Sequence, residues 1–79
     1  MIIGINDLIN AINQGSDIEF QCNGKMYTIL PWTDEGIVIG PQNSDNDFIY
    51  KTADELINNY RIDGKSIKDM IDQLEIILM

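Results

Sequence analysis

Few side chains of this 79-residue chain are suited to catalysis. The sequence contains no His, which is the commonest general base and metal ligand near neutral pH. Its single Cys, Cys22, is predicted on the apolar side of a strand, where a small buried hydrophobe is favoured over a reactive thiol. Nucleophile-elbow, phosphate-loop and dinucleotide-binding patterns are absent. We therefore predict a protein that is not an enzyme, with no catalytic residue and no cofactor.

The segment 43–47 has the Asn and Asp spacing with which a calcium loop begins. Such a loop requires Gly at its sixth position and Glu at its twelfth, where this chain has Phe48 and Asp54. A solvated loop is the better interpretation. One Cys without His also excludes a zinc site of the Cys/His type and a disulfide framework within the chain. The sequence therefore predicts no metal site.

The charge balance indicates the class of partner. Thirteen acidic residues against five basic ones give a net charge of −8. This balance argues against direct nucleic-acid binding through a basic patch and against docking on an anionic membrane. No apolar run approaches the ~18 residues of a membrane-spanning helix, and the opening residues do not form a signal-peptide pattern. We expect a cytoplasmic protein with a basic protein partner.

The first elements that must position these residues are a helix and a hairpin. A helix is predicted over residues 5–14, because four apolar residues follow the 3.6-residue period: Ile5, Leu8, Ile9 and Ile12. A β-hairpin is predicted over residues 17–30, with Asn23 and Gly24 in a type I′ turn. Such a turn places Phe20 opposite Tyr27 and brings the apolar side chains onto one face.

The rest of the chain predicts two more strands and two helices. Residues 31–36 read as a turn, 37–39 as a strand, 41–46 as a polar loop and 47–51 as a short fourth strand.

A helix over residues 53–59 follows from Thr52 and Glu55, which fit a capping box. After a turn at Asp63 and Gly64, Ser66 is predicted to cap a last helix. The apolar residues that would form one face of this helix continue to the end of the chain: Ile67, Met70, Ile71, Leu74, Ile77 and Leu78. The chain is thus predicted as one domain, residues 1–79, of the α+β class. It would consist of an N-terminal helix, an antiparallel meander of three to four strands, and two C-terminal helices packed on one sheet face.

The alternation of strand directions predicts where the acidic residues gather. One end of the sheet would hold the start of the first strand, the second turn and the start of the middle helix. Five carboxylates would collect there: Asp17, Asp34, Glu35, Asp54 and Glu55. Asp45 and Asp47 would lie at the opposite end, beside the Asn23–Gly24 turn. Acidic residues also favour turns and helix N-termini for local reasons, and a high net charge keeps a small domain soluble. The cluster therefore has two open interpretations, a solvated surface without a binding role and a surface that imitates nucleic-acid phosphates.

Two apolar features add candidate contacts. Trp32 follows Pro31 near a turn, where it is either an exposed anchor for a partner or a lid on the edge of the core. The C-terminal residues 76–79 are apolar beyond a single helical stripe, so they either complete the core or extend into a dimer contact.

Two resemblances follow from particular segments. The chain resembles small uncharacterised phage and mobile-element proteins of Gram-positive bacteria in four segments, residues 5–9, 23–25, 53–57 and 62–69. Its opening at residues 5–9 and its predicted element order also resemble the acidic Listeria-prophage anti-CRISPR proteins that inhibit Cas9. That second resemblance implies a mimic of DNA at the PAM-reading site, with Cas9 as the partner.

These observations favour a non-enzymatic acidic binding protein that inhibits a host nucleic-acid-acting protein. The partner-binding residues would be the five carboxylates and Trp32. The alternative is a small structural or regulatory protein-interaction module without nucleic-acid mimicry, either as a monomer or as a homodimer.

Overall fold

The first helix of the computed structural model forms as the apolar spacing predicts. The structure describes residues 4–79; residues 1–3, where no signal peptide is predicted, lie outside it. Helix α1 spans Ile5–Asn13, one residue shorter than predicted. The Gly4 N–H donates to Asp7 Oδ2 at 3.3 Å. Leu8, Ala11 and Ile12 are buried and join α1 to the core.

The central hairpin has the predicted register. Strand β1 spans Ile18–Cys22 and strand β2 spans Lys25–Thr33. Asn23 and Gly24 adopt φ values of 53° and 79°, the left-handed conformation that a type I′ turn requires. Phe20 lies opposite Tyr27, and their rings stack with centroids 5.2 Å apart. All five side chains predicted for the inner face are buried: Ile18, Phe20, Cys22, Tyr27 and Ile29.

The turn predicted over residues 31–36 is shorter than expected. Strand β2 continues through Pro31 to Thr33, and strand β3 spans Gly36–Pro41, longer than the predicted 37–39. The register shifts between Leu30 and Thr33, beyond the last β1–β2 pair at Ile18 and Ile29. There Pro31, which lacks an N–H, lies at an irregularity rather than within a regular ladder.

Gly36 starts β3 at a position that no other residue fits well. Its φ is 131°, and a Cβ atom there would lie 2.7 Å from the Tyr50 carbonyl oxygen. The absent side chain therefore allows the short strand β4, Phe48–Tyr50, to pair closely with β3. The predicted fourth strand over residues 47–51 thus exists and joins the sheet.

Helix α2 has the predicted bounds, Ala53–Asn59. The Glu55 N–H donates to Thr52 Oγ1 at 3.1 Å. Glu55 Oε1 accepts the N–H of Lys51 at 3.2 Å, one residue before the backbone group that a standard capping box uses. Leu56 and Ile57 are buried, so the helix packs on the same sheet face as α1.

A second, smaller hairpin covers part of the core. Strands β5, Arg61–Ile62, and β6, Lys65–Ser66, flank the predicted turn. Asp63 and Gly64 have φ values of 53° and 83°, close to those of Asn23 and Gly24. Asn23 Nδ2 donates to Asp63 Oδ2 at 2.6 Å, which ties the two turns together.

The predicted C-terminal helix is wrong. Ser66 Oγ does accept the Asp69 N–H at 3.2 Å, but the chain makes only a turn and a short 3-10 helix, Ile71–Gln73. Strand β7, Glu75–Leu78, then pairs with β1. Without β7, β1 would be an edge strand with unpaired backbone groups. Backbone pairing with β1 is therefore favoured over the helix that the apolar stripe predicts. The stripe contains several β-branched Ile residues, which favour strands over helices.

The architecture is α+β, with two α-helices and one five-stranded antiparallel sheet in the order β4-β3-β2-β1-β7. The fold class is therefore confirmed, whereas the helix count and the C-terminal layout are not. Helices α1 and α2 cover the inner face of the sheet, and we call the opposite face the open face. Within residues 4–79, no helix is long and apolar enough to cross a membrane.

Candidate functional site

The predicted acidic end of the sheet exists as an arrangement of strand termini. Ile18 begins β1, Thr33 ends β2, Gly36 begins β3 and Tyr50 ends β4, and the antiparallel register brings these termini to one end. We call five carboxylates the acidic end. Asp17, Asp34 and Glu35 lie next to these termini, and Asp54 and Glu55 lie in the first turn of α2, which follows β4 after Lys51 and Thr52. All five residues are exposed. The backbone topology therefore brings together the carboxylates that the sequence predicts there.

Local structure explains only part of this cluster. Glu55 takes part in capping α2, and the carbonyl oxygen of Asp54 accepts a hydrogen bond from Asn58 Nδ2 at 2.8 Å. Both residues also lie in the first turn of α2, where negative charge is favoured by the helix dipole. Asp34 and Glu35 form the exposed β2–β3 turn. Their charges are the ones most readily offered to a partner.

Trp32 lies on the surface at the acidic end. Its side chain is 61% exposed, so it does not close the core as a lid would. Its indole Nε1–H donates a hydrogen bond to Asp17 Oδ1, which fixes the ring beside the start of β1. A large amphipathic side chain held by a carboxylate, with most of its surface in water, has the features of an interface anchor.

Asp45 and Asp47 lie at the other end of the sheet, as predicted. Strand β4 starts opposite Ile39, near the end of β3. A cleft of about 470 Å³ separates the Asn23–Gly24 turn from the loop between β3 and β4. Its lining combines polar groups with the apolar surface of Met26, Tyr27 and Pro41, and Lys25 is its charged member. The lining residues are Gly24, Lys25, Met26, Tyr27, Pro41, Asn43, Ser44 and Asn46. No catalytic pair can be identified in this lining.

The open face carries apolar side chains that sequence reasoning missed. The register places Leu30 opposite Val38 and Val38 opposite Ile49, so these three form a row across β2, β3 and β4. Leu30 and Val38 are half-buried and Ile49 is 46% exposed. Residues 37–39 contain the sequence signal for an apolar open face, because three consecutive β-branched apolar residues place apolar groups on both faces of a strand.

The titratable groups inside the domain are poorly suited to catalysis. Cys22 is buried, and burial followed by the nearby Asp63 charge raises the pKa of its thiol, which disfavours the reactive thiolate. Burial is also the main factor that raises the pKa of Tyr60 to about 12. Tyr60 contacts Tyr27 and Phe48 edge-to-face, with ring centroids 6.5 Å and 5.7 Å apart. These contacts fit a role in packing.

Metal ligands do not converge in the part of the chain that the structure describes. Within residues 4–79, no three His, Cys, Asp or Glu side chains are arranged so that they could hold a metal ion. In the segment 43–47, Ser44 Oγ accepts the Asn46 N–H at 3.1 Å, which stabilises the loop by itself.

The C-terminal strand exposes apolar side chains at the edge of the sheet. Ile77, Leu78 and Met79 are between 40% and 53% exposed, whereas the preceding Ile76 is buried. The predicted contribution of residues 76–79 to the core therefore holds for Ile76 only.

Comparison of the chain with protein-family models, with curated proteins and with solved structures finds no match. The site must therefore be interpreted from its own geometry and charge.

Proposed function

We propose that this domain is a non-enzymatic binding protein whose acidic end occupies a basic, nucleic-acid-binding surface of a host protein. The observation that carries the proposal is the gathering of five exposed carboxylates where four strand termini and the start of α2 meet. Fixed negative charges on a rigid scaffold can take the place of phosphates in a basic groove, and they accelerate encounter with it.

Trp32 favours a protein interface with an apolar contact over a purely electrostatic contact. It lies beside Asp17, so an apolar contact and charged contacts would fall within one interface. Buried Trp side chains account for a large share of binding energy in many interfaces, while surrounding charges mainly set specificity and association rate. In this proposal Trp32 anchors the complex and the carboxylates orient it.

An inhibitor of a Cas9-type nuclease is the sharpest form of the proposal. It rests on the resemblance of residues 5–9 to the anti-CRISPR proteins of Listeria prophages. The element order of those proteins, a helix, a three-stranded sheet and two helices, differs from this fold, in which β7 replaces the last helix. The broader form, an acidic inhibitor of a nucleic-acid-acting protein, is therefore the better match to the acidic end. Its origin in a phage or mobile element rests only on the resemblance of residues 5–9, 23–25, 53–57 and 62–69.

The proposal is tested by removing charge without changing shape. The triple variant Asp17→Asn, Asp34→Asn, Glu35→Gln keeps size and polarity, and the amide oxygen that it introduces at position 17 can still accept the Trp32 hydrogen bond. We expect the variant to fold normally and to lose capture of a nucleic-acid-binding partner from host extract. A matched variant, Asp7→Asn, Asp69→Asn, Asp72→Asn, removes three charges elsewhere and should keep capture. Equal capture by wild type and both variants would contradict the proposal.

The alternative, a homodimeric or other protein-interaction module without nucleic-acid mimicry, is favoured by one observation. Strand β7 is an edge strand with exposed Ile77 and Leu78, and an edge of this kind can pair with the same edge of a second copy. Sedimentation equilibrium over a range of concentrations decides this point. A dimer that Ile77→Lys disrupts would support the alternative, whereas a monomer at all concentrations would oppose a homodimer.

A further inference from the structure

The open face contains a depression beside its apolar row. The depression has a volume of about 250 Å³. Leu30, Val38 and Pro41 provide its apolar lining, and Thr28, Gln42 and Asp47 provide polar groups. Gly40, which pairs with Thr28, is also part of the lining. The absent side chain at Gly40 allows Asp47 to lie close to β3 at the rim of the depression.

The size of the depression limits its occupant. Pockets for drug-sized ligands typically measure about 300–1,000 Å³ and enclose most of the ligand. At about 250 Å³ the depression is slightly smaller than this range and has room for one long side chain.

The charges around the depression specify the sign of that side chain. The Asp47 carboxylate lies at Gly40, where a Cβ atom would be 2.1 Å from Asp47 Oδ1. Glu19 reaches the same region, because its Oε1 accepts a hydrogen bond from Gln42 Nε2 at 2.9 Å across β2. Asp17 directly precedes Ile18, which pairs with Ile29, so Asp17 lies at the β1 end of the row, beside Leu30. Carboxylates thus lie along one side of the row and at its β1 end.

Basic residues are few in and around the large sheet. Within its five described strands, Lys25 is the only Lys or Arg, and it lies at the start of β2 beside the Asn23–Gly24 turn. The exposed Lys51 directly follows β4, two residues after Ile49, at the acidic end. Arg61 and Lys65 belong to the small hairpin, outside the large sheet. The row itself contains no cation, and the carboxylates beside the depression make it complementary to a cation on an aliphatic stem.

We infer that the open face binds a partner segment in which a Lys or Arg side chain stands next to apolar residues. The aliphatic stem lies against Leu30 and Val38 in the depression, and the charged head reaches the Asp47 carboxylate. Apolar neighbours of that cation pack on the rest of the row, towards Ile49. This inference rests on the proposed function, since it gives the chemistry of a basic partner and assigns a second contact surface beside the acidic end.

Backbone amide shifts of ¹⁵N-labelled protein test the inference with synthetic peptides. The probe is a seven-residue capped peptide of alternating Lys and Val, and the controls alternate Lys with Ser and Glu with Val. We expect the Lys–Val peptide to shift the amides of Thr28, Val38 and Gly40 most. The Lys–Ser peptide should bind at least tenfold more weakly, and the Glu–Val peptide should leave these amides unshifted. Shifts confined to other surfaces, or equal binding of all three peptides, would overturn the inference.

Two variants of the open face sharpen this test. Val38→Lys places a cation of the protein in the row and should weaken binding of the Lys–Val peptide at least tenfold. Asn10→Lys adds the same charge on the exposed side of α1 and should change the affinity less than twofold. Asp47→Asn keeps the shape of the border and should weaken binding severalfold, so it decides the matter if Val38→Lys does not fold. Unchanged affinity in folded Val38→Lys or in Asp47→Asn would overturn the inference.

The outcome is separable from that of the proposed function. If the acidic-end triple variant loses its host partner while Val38→Lys and Asp47→Asn keep it, the proposed function stands and the open-face site fails. If only the open-face variants lose the partner, the open face is the contact and the acidic end is not.

Discussion

The indole N–H of Trp32 donates a hydrogen bond to the carboxylate of Asp17, although the Trp32 side chain is 61% exposed. The two residues lie on adjacent strand ends and were both expected at the contact surface. The bond orients a large apolar ring in water without burying it. A ring that is mostly in water adds little to folding, so its surface is available for a contact.

Removing Trp32 should therefore affect binding far more than stability. We expect Trp32→Ala to lower the free energy of unfolding by less than about 1 kcal/mol, because little surface leaves water when the ring folds into place. Binding of the partner should weaken by about 2 kcal/mol or more, as for other aromatic anchors. Chemical denaturation and calorimetric titration measure the two effects.

Trp32→Phe is the matched control for that change. It keeps an aromatic ring but removes the N–H that binds Asp17, so we expect an intermediate loss of affinity. A large loss of stability in Trp32→Ala, with unaltered binding, would show that the ring serves folding after all.

The stacked pair Phe20 and Tyr27 should contribute strongly to stability. Phe20 is fully buried, and Phe20→Ala should lower the free energy of unfolding by about 3–5 kcal/mol. Phe48 is a matched control, because it is 54% exposed at the edge strand β4. Phe48→Ala should cost about 1 kcal/mol or less, despite its contact with Tyr60. Similar costs for the two variants, measured by denaturant unfolding, would contradict the described core.

The neighbours Ile76 and Ile77 distinguish a C-terminal strand from a helix. In β7, Ile76 points into the core and Ile77 is 53% exposed. We expect Ile76→Ala to cost about 2–4 kcal/mol and Ile77→Ala less than about 1 kcal/mol. The helical stripe of the sequence predicts the reverse order, since it includes Ile77 and omits Ile76. The order of the two unfolding free energies therefore decides between the two structures.

The parts of the fold that local signals determine could be predicted from the sequence. Asn23–Gly24 sets a type I′ turn, and a two-residue turn leaves only one register for the flanking strands. Thr52 and Glu55 likewise define the start of α2. Ser66 also forms its predicted cap, yet the helix ends after one turn, because β1 offers an edge that no local signal in residues 67–79 reveals.

The candidate site was predictable to a similar extent. Strand alternation alone assigns Asp17 and the turn residues Asp34 and Glu35 to one end of the sheet. The depression on the open face depends on Gly40 pairing with Thr28 and on Asp47 lying against Gly40, and no turn signal in the sequence fixes either contact. The hydrogen bond from Trp32 to Asp17 is also long-range, which is why the sequence left both roles of Trp32 open.

The thiol of Cys22 should resist chemical labelling in the native protein. The side chain is buried, and burial raises the pKa of the thiol above its ordinary value, so both access and thiolate content are low. If labelling requires global unfolding of a domain stable by roughly 5 kcal/mol, it should be several thousandfold slower than in the unfolded chain, on the order of 10³·⁶. A thiol reagent with a chromogenic leaving group measures both rates. Comparable rates would place Cys22 outside the core.

The salt dependence of partner binding tests the central claim most directly. The affinity of the captured partner is measured for wild type and for the triple variant Asp17→Asn, Asp34→Asn, Glu35→Gln, at ionic strengths from about 0.05 to 0.5 M. Because screening acts over about 10 Å at 0.1 M, wild-type affinity should fall steeply with salt, and the variant should bind more weakly with a flatter dependence. DNA or RNA should compete with wild type for the partner. Parallel salt dependences for the two proteins, with no competition by nucleic acid, would contradict the claim that the acidic end imitates phosphates.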